Sequence, residues 1–252
     1  MAPAFDYSNR SERPRGRVLS ALSATLPGVR AVQEQVLPYA VWWESHNRVA
    51  ATSGGPLWVA LGDSMTQGIG ASAPDRGWAG QLSERLARRG WSHRLVNLGV
   101  NGARVQDVLD RQLPALELLE RMAELGQPAE LGQPVGAGGR AALVTVVIGS
   151  NDVVVRRHRR GLAQRFEAML DRLPAGALVA NLPNPHREAR AVDALLRERA
   201  DAGRLVLVDM RREGPRSWRG RLASDRFHPN DRGYAEMATV VERAVDRAGV
   251  LG

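Results

Sequence analysis

From Leu57 onward the chain alternates short apolar runs with stretches of helical periodicity, and this alternation most limits the folds open to it. Leu57-Trp58-Val59-Ala60-Leu61 ends at a glycine after five apolar residues, too short for a helix and suited to a strand buried on both faces. Residues 94–98, 142–148, 177–182 and 205–209 repeat the pattern. Between these runs, residues 78–89, 105–113, 162–173 and 188–202 carry apolar side chains at helical spacing. Residues 231–248 close the chain as a helix, with Asn230 placed to cap it. Five β-α units of this kind require a mostly parallel sheet with helices on both faces. In such open sheets ligands bind beyond the carboxyl ends of the strands, so chemistry is sought in the residues that follow each run.

Three short segments lie there, and a fourth precedes the last helix: Gly62-Asp63-Ser64, Asn97-Leu98-Gly99-Val100-Asn101-Gly102, Gly149-Ser150-Asn151-Asp152 and Asp225-Arg226-Phe227-His228. A serine hydroxyl is a weak nucleophile at neutral pH and needs a base to take its proton as it attacks. Ser64, at the end of the first strand, is the candidate nucleophile. His228 is the preferred base, because imidazole accepts and returns a proton near neutrality. Asp225 stands three residues before it, a spacing that lets the carboxylate reach one ring nitrogen and fix the tautomer. His46, His93, His158 and His186 have no aspartate at that spacing. Attack on an ester carbonyl creates an oxyanion that needs donors already in place. Gly102 can offer a backbone N–H without a side chain in the way, Asn151 a side-chain N–H, and Ser64 its own backbone N–H. Each alone reads as an ordinary turn residue; their order and placement make the signal.

Together these blocks resemble the SGNH hydrolases, the GDSL-type esterases and lipases, over about residues 57–248. The first block of that family is Gly-Asp-Ser-Leu, here Gly62-Asp63-Ser64-Met65. The third is Gly-x-Asn-Asp, here Gly149-Ser150-Asn151-Asp152, and the last is Asp-x-x-His, here Asp225 to His228. The resemblance implies a flavodoxin-like three-layer α/β/α fold with a five-stranded parallel sheet. It implies Ser64 as nucleophile, Asp225 and His228 as its partners, and Gly102 and Asn151 as oxyanion donors. It also implies a serine hydrolase that cleaves carboxylic ester or thioester bonds through an acyl-enzyme. A carbohydrate O-acetyl esterase of the same fold and a catalytically silent binding module are the alternatives. The aromatic fraction of 5% argues mildly against a stacked sugar platform. No Gly-x-Ser-x-Gly surrounds Ser64, so this is not the nucleophile elbow of α/β-hydrolases.

The remaining sequence bounds the other readings. A third hypothesis, a nucleotide-binding flavodoxin-like protein, finds Gly68-Ile69-Gly70 after the first strand but no further glycine to complete a dinucleotide fingerprint, and lysine is absent, so no P-loop exists. The chain has no cysteine, which excludes disulfides and thiol catalysis, and no metal or other cofactor is expected. The net charge is +8 and every basic residue is arginine. The arginines are interspersed with acidic residues, which reads as compositional bias rather than a nucleic-acid surface, although the charge can steer acidic substrates. The cluster Arg156-Arg157-His158-Arg159-Arg160 reads as a solvated helix start in preference to an anion-binding site. No apolar run is long enough to span a membrane; peripheral contact and oligomeric state stay open. Residues 1–17 are polar and basic and are expected to be disordered. Residues 18–55 are expected to form a helical extension interrupted at Pro38, with Trp42-Trp43 in the core. Residues 18–29 are too broken by hydroxyl residues and Pro27 for an export signal, so a cytoplasmic location is expected. The hydrolase domain is expected over 56–252, with an insertion at about 114–140 that runs as a helix to about Leu125 and then as a connector containing Leu-Gly-Gln-Pro twice.

Overall fold

Strands β1 (Leu57–Gly62), β2 (Arg94–Asn97), β3 (Leu143–Val147), β4 (Ala177–Ala180) and β5 (Leu205–Val208) form one parallel sheet in the order β2-β1-β3-β4-β5. The structure, a computed structural model, describes residues 5–13, 23–126 and 140–250. All five strands fall where the apolar runs place them. The period of two along each strand divides the core into two layers. Val59 and Leu61 of β1 join Val96, Val146 and Val179 on one face, against Leu116, Phe166 and Leu196. Trp58 and Ala60 join Leu178 and Val208 on the other, against Trp78, Leu82, Tyr234 and Val241. The strand order reverses between β1 and its two neighbours, which opens a crevice at the carboxyl ends of β1 and β3.

The helices, in chain order, are α1 (Pro27–Glu34), α2 (Val36–Thr52), α3 (Ser64–Gln67), α4 (Trp78–Arg88), α5 (Val105–Asp107), α6 (Leu113–Gly126), α7 (Ser150–Val154), α8 (Arg156–Arg159), α9 (Leu162–Arg172), α10 (Arg187–Asp201) and α11 (Asp231–Ala248). A π-helical turn, Val108–Gln112, joins α5 to α6. Asn230 caps α11 as expected, its side chain accepting from the N–H groups of Arg232 and Gly233.

Three expectations about the segments outside the β-α pattern change. Residues 5–13, expected to be disordered, pack against the domain. Phe5 and Asn9 are buried, and the Asn9 carboxamide donates to the carbonyls of Asn97, which ends β2, and Gly99, just beyond it. The rest of that expectation lies on residues outside the described ones. Pro38 does not interrupt a helix. It sits in the first turn of α2, where its missing N–H costs no hydrogen bond, and the joint falls at Gln35 instead. Of the tryptophan pair only Trp43 is in the core, with its indole N–H on the Gln67 carbonyl at 2.9 Å, while Trp42 is 38% exposed. The helix expected to run to about Leu125 within the insertion is α6, and its Leu116 and Leu119 are buried in the core. The Leu-Gly-Gln-Pro copies lie mostly outside the described residues.

Candidate active site

Ser64 starts α3 directly beyond β1, where the backbone leaves the sheet at its point of reversal. As the first helical residue its N–H has no intrahelical partner. Asp63 caps this short helix by accepting the Met65 N–H at 3.0 Å. The Gly62 peptide that leads into it is held on both sides by one buried amide. Gln112 accepts from the Gly62 N–H and donates to its carbonyl, each at 2.8 Å. Gln112 belongs to the π-helical turn, which carries its side chain to the end of β1.

The imidazole of His228 meets the Ser64 hydroxyl across 164 positions of sequence: Nε2 and Oγ are 3.0 Å apart. Its Nδ1 lies 2.6 Å from Asp225 Oδ2, while Asp225 Oδ1 accepts the backbone N–H groups of Phe227 and His228 at 3.0 Å each. Burial pushes the Asp225 carboxyl upward, but the hydrogen bonds and charge of His228 outweigh it and leave the group below the usual range. Asp225 is therefore the ionised, acceptor-only partner, so the Nδ1–H points to it and Nε2 is free to accept from Ser64. Arg226, between them, adopts φ +57°, the one non-glycine residue in the left-handed region among those described. This turn folds Asp225 back onto the ring.

The predicted oxyanion donors Asn151 and Gly102 lie on the loops that follow β3 and β2. Asn151 donates to the Ala103 carbonyl at 2.9 Å and makes a long 3.4 Å contact with Asp63 Oδ2, so one amide N–H is anchored and the other is weakly held. Gly102 has φ +76°. A Cβ there would meet no protein atom within 4 Å, so what favours glycine in the fold itself is this backbone conformation. Its N–H has no acceptor among the described residues. Ser64, His228 and Asp225 thus lie on one hydrogen-bonded line, Asn151 contacts Asp63 beside it, and Gly102 precedes Ala103, to which Asn151 donates.

The sequence reading missed the residues behind this set. Asp63 is fully buried, takes a 2.6 Å hydrogen bond from Ser150 and bridges the first and third blocks. Burial pushes its carboxyl upward, against the hydrogen bonds from Ser150 and the Met65 N–H. Its place in the Gly-Asp-Ser block is the one signal that could have found it. The N-terminal segments are also part of the frame. Asn9 donates to the carbonyls of Asn97 and Gly99 at 2.9 and 2.8 Å. Gln67 donates to the Asn9 carbonyl and accepts the Asn101 N–H, both at 3.0 Å. Gln35 accepts from the Gly70 N–H at 2.8 Å, on the loop against which His228 packs. Nothing in the spacing of these polar residues marks them in advance.

A cavity of about 330 Å³ is lined by the chain neighbours of Ser64 and His228, namely Asp63, Met65, Phe227 and Pro229, and by residues at the ends of β4 and β5. Its wall is apolar, with Met65, Val153, Leu182, Met210, Trp218 and Phe227 as its larger members. The arrangement supplies a hydroxyl with an adjacent base, an ionised orienter, N–H donors and an apolar recess.

A family model described as the GDSL-like lipase/acylhydrolase family matches residues 60–236. No curated protein gives a match. Similar solved structures include TesA, 22% identical with a TM-score of 0.58, covering 76% of this chain and 99% of that one. A family 3 carbohydrate esterase of Clostridium thermocellum is 16% identical with a TM-score of 0.60, covering 79% and 99%. The lipase Lip_vut3 from a goat rumen metagenome is 17% identical with a TM-score of 0.54, covering 75% and 97%. At these identities the likeness is one of fold, and it matches the three-layer α/β/α architecture with its five-stranded parallel sheet.

Proposed function

The chain belongs to the GDSL-like lipase/acylhydrolase family, whose members act on ester bonds, and from that premise we propose that it is a serine esterase working through an acyl-enzyme on Ser64. The observation that carries this reading is the continuous hydrogen-bonded line Ser64–His228–Asp225, at 3.0 and 2.6 Å. In the first step Ser64 Oγ bonds to the carbonyl carbon while its proton passes to His228 Nε2. The carbonyl electron pair moves onto oxygen, where the N–H groups of Gly102, Ser64 and Asn151 receive it; such donors are each worth about 2.7–4 kcal/mol in the transition state. Collapse expels the alcohol or thiol, which takes the proton from His228, and leaves Ser64 acylated. A water then repeats the sequence: His228 takes its proton, the oxygen attacks the acyl carbon, and Ser64 leaves with that proton restored. Asp225 keeps its charge throughout and stabilises the imidazolium.

The apolar wall of the adjoining cavity supports an acyl chain as its occupant. A sugar would want polar partners or exposed aromatic faces, and among its lining Trp218 and Phe227 are the only aromatic residues. Hydrolysis of p-nitrophenyl acetate by wild type and Ser64→Ala tests the reading, with labelling of Ser64 by a fluorophosphonate as the direct readout. Equal, non-zero rates in both proteins would reject the mechanism, and an active wild type without labelling of Ser64 would place the nucleophile elsewhere.

A further inference from the structure

A second cavity, of about 530 Å³, lies between α2 and α4 beside the start of the edge strand β2. It shares no lining residue with the cavity next to Met65 and Phe227. One wall is aromatic. Trp42 and His46, a helical turn apart on α2, stack with ring centroids 5.1 Å apart and planes 9° apart. Trp43 stands edge-on to both, at 4.6 and 5.3 Å. His46 covers one face of Trp42, yet Trp42 is still 38% exposed, so indole surface stays open.

The polar groups that line this cavity have their donors engaged by the protein. Trp43 gives its indole N–H to the Gln67 carbonyl. His46 Nε2 lies 3.1 Å from the Leu95 carbonyl and His93 Nδ1 2.8 Å from the Trp91 carbonyl, so each of these nitrogens carries a proton. Burial lowers both rings below the ordinary histidine range and keeps them neutral at pH 7. Each ring then has one bare nitrogen. That of His93 accepts the Ser83 hydroxyl, 2.9 Å away, while that of His46 has no partner among the described residues. Arg94 gives three N–H groups to the carbonyls of Ala50, Ala51 and Gly55, at the end of α2 where the helix dipole favours a cation. The Ser83–His93 contact resembles that of Ser64 with His228. Ser83, however, sits inside α4, where its backbone N–H belongs to the helix and cannot serve an oxyanion.

Acceptors and negative charge are what remain unmatched. Glu84 pairs with Arg76 and Arg88. Asp75, in the short turn Pro74–Arg76, has no hydrogen bond or ion pair among the described residues. Burial lowers His46 most, and the Leu95 carbonyl and the Asp75 charge act against it, which places that carboxylate within electrostatic reach of the aromatic wall. An anion would be repelled here, and a neutral apolar compound would leave the carboxylate unanswered.

We propose that this cavity binds a small primary ammonium compound with an apolar body, the ammonium on Asp75 and the Ser83 oxygen and the body against the open indole of Trp42. An ammonium brings three donors and one charge to a cavity that offers acceptors, and a cation beside an indole face gains from the ring quadrupole. The site is independent of the chemistry at Ser64.

The test titrates three probes of similar shape into the whole protein at pH 7: phenethylammonium, 2-phenylethanol and 3-phenylpropionate. Backbone amide shifts of Gly54, Gly80 and Ser83, which line the cavity and persist in every variant, give the Kd. Phenethylammonium should bind about fivefold tighter than the alcohol, with the carboxylate weaker still. Asp75→Asn and Trp42→Ala, both changes at exposed residues, should each raise its Kd about threefold, while Trp42→Phe keeps an aromatic face and should stay within about twofold. Asp201→Asn removes the same charge from an exposed position at the end of α10 and should leave the Kd unchanged. Equal Kd for the three probes overturns the site, as does an unchanged Kd in Asp75→Asn or Trp42→Ala or an equal loss in Asp201→Asn. Ser64→Ala should bind as wild type does, so failure of the esterase reading and failure of this site are told apart. A lysine side chain carries the same headgroup: Nα-acetyl-lysine methylamide should bind more weakly than phenethylammonium, and a tighter Kd would assign the cavity to a protein partner and overturn the small-molecule reading.

Discussion

Replacing Asn9 tests whether the N-terminal segment is part of the site or merely lies over it. Asn9 is 1% exposed, and its carboxamide makes three hydrogen bonds: to the carbonyls of Asn97 and Gly99, and from Asn47 at 3.0 Å. In Asn9→Ala the Asn97 carbonyl keeps Asn47 as a donor at 2.7 Å, so that loss is small. The buried Gly99 carbonyl keeps no donor, and stranding it costs about 1–3 kcal/mol. With roughly 0.5 kcal/mol for each of the other two bonds, the total is about 2–4 kcal/mol. For a chain of this size that lowers Tm by about 4–16 °C. Asn9→Asp keeps the shape but turns both donors into acceptors facing carbonyl oxygens, so it should be worse than alanine at pH 7. Because Gly99 and Gly102 share one loop, kcat on p-nitrophenyl acetate should fall about tenfold, a fraction of the 10²–10³ expected when an oxyanion donor is lost outright, with KM little changed. Thermal melts and steady-state kinetics on the three proteins suffice. A Tm within 1 °C of wild type for Asn9→Ala, or an Asn9→Asp variant more stable than Asn9→Ala, would refute the hydrogen-bond argument. An unaltered kcat in a destabilised variant would refute its extension to the site.

Gly70 has φ +97°, and a Cβ there would lie 2.7 Å from the His228 Cβ and 2.6 Å from the Pro229 carbonyl; Gly70→Ala should therefore lower kcat at least tenfold by displacing the base, while a glycine-to-alanine change at exposed Gly203 should not. Gln112→Met keeps volume but removes both bonds to the Gly62 peptide; the Gly62 carbonyl retains the Val100 N–H at 3.3 Å, so the cost is mainly one stranded N–H, about 1–3 kcal/mol, read as a lowered urea midpoint with unchanged m-value. The pH dependence of stability follows from two carboxylates of opposite sign. Asp225 is held below its ordinary range, so its contribution is present above about pH 3.9 and is lost as pH falls through its folded value. Asp63 is held above its range by burial, so it destabilises the fold at neutral pH and this cost fades on mild acidification. Urea midpoints from pH 7 to 3 should thus show Asp63→Asn flattening the neutral limb and Asp225→Asn flattening the acid limb; an unchanged profile in either variant contradicts the assigned shift.

The sheet was legible because its five strands are buried on both faces, which leaves continuous apolar runs that few other structures produce. The five site residues were legible because strand ends in a parallel sheet are few, and each block follows one or precedes the last helix. Polar residues that act from behind leave no such trace. Asn9 sits in a segment whose composition resembles a disordered tail, and only its partners, 88 and 90 positions away, give it a buried role. Gln112 reads as a surface glutamine on a helix. The π-helical turn rotates it inward, and no periodicity calculated at 3.6 residues per turn can anticipate that. The tryptophan pair failed for a simpler reason: adjacent residues on a helix differ by about 100° in direction, so one of two neighbours is buried and the other is not.

These hidden contacts share a geometric purpose. Ser64 is fixed through Asp63 and Gln112, His228 through Asp225 and the Gly70 loop, and the Gly102 loop through Asn9 and Gln67. In each case at least one supporting group comes from a different element than the residue it supports: Gln112 from the π-helical turn, Gly70 from the loop after the Ser64 helix, and Asn9 from the N-terminal segment. A hydroxyl–imidazole distance of 3.0 Å is kept only if the two loops cannot drift independently, since misplacement by about 1 Å can cost 10²-fold in rate. The described N-terminal segments touch three of the four site loops: Asn9 at 97–99, Gln35 at 70–71, and Gly28 at Ser224, which donates to its carbonyl at 2.9 Å just before Asp225. A segment that bonds to the nucleophile's loop, the donor loop and the base's loop restrains their relative positions more than it adds to any one of them. Loss of these contacts should therefore show first as a fall in kcat and only then as a fall in Tm.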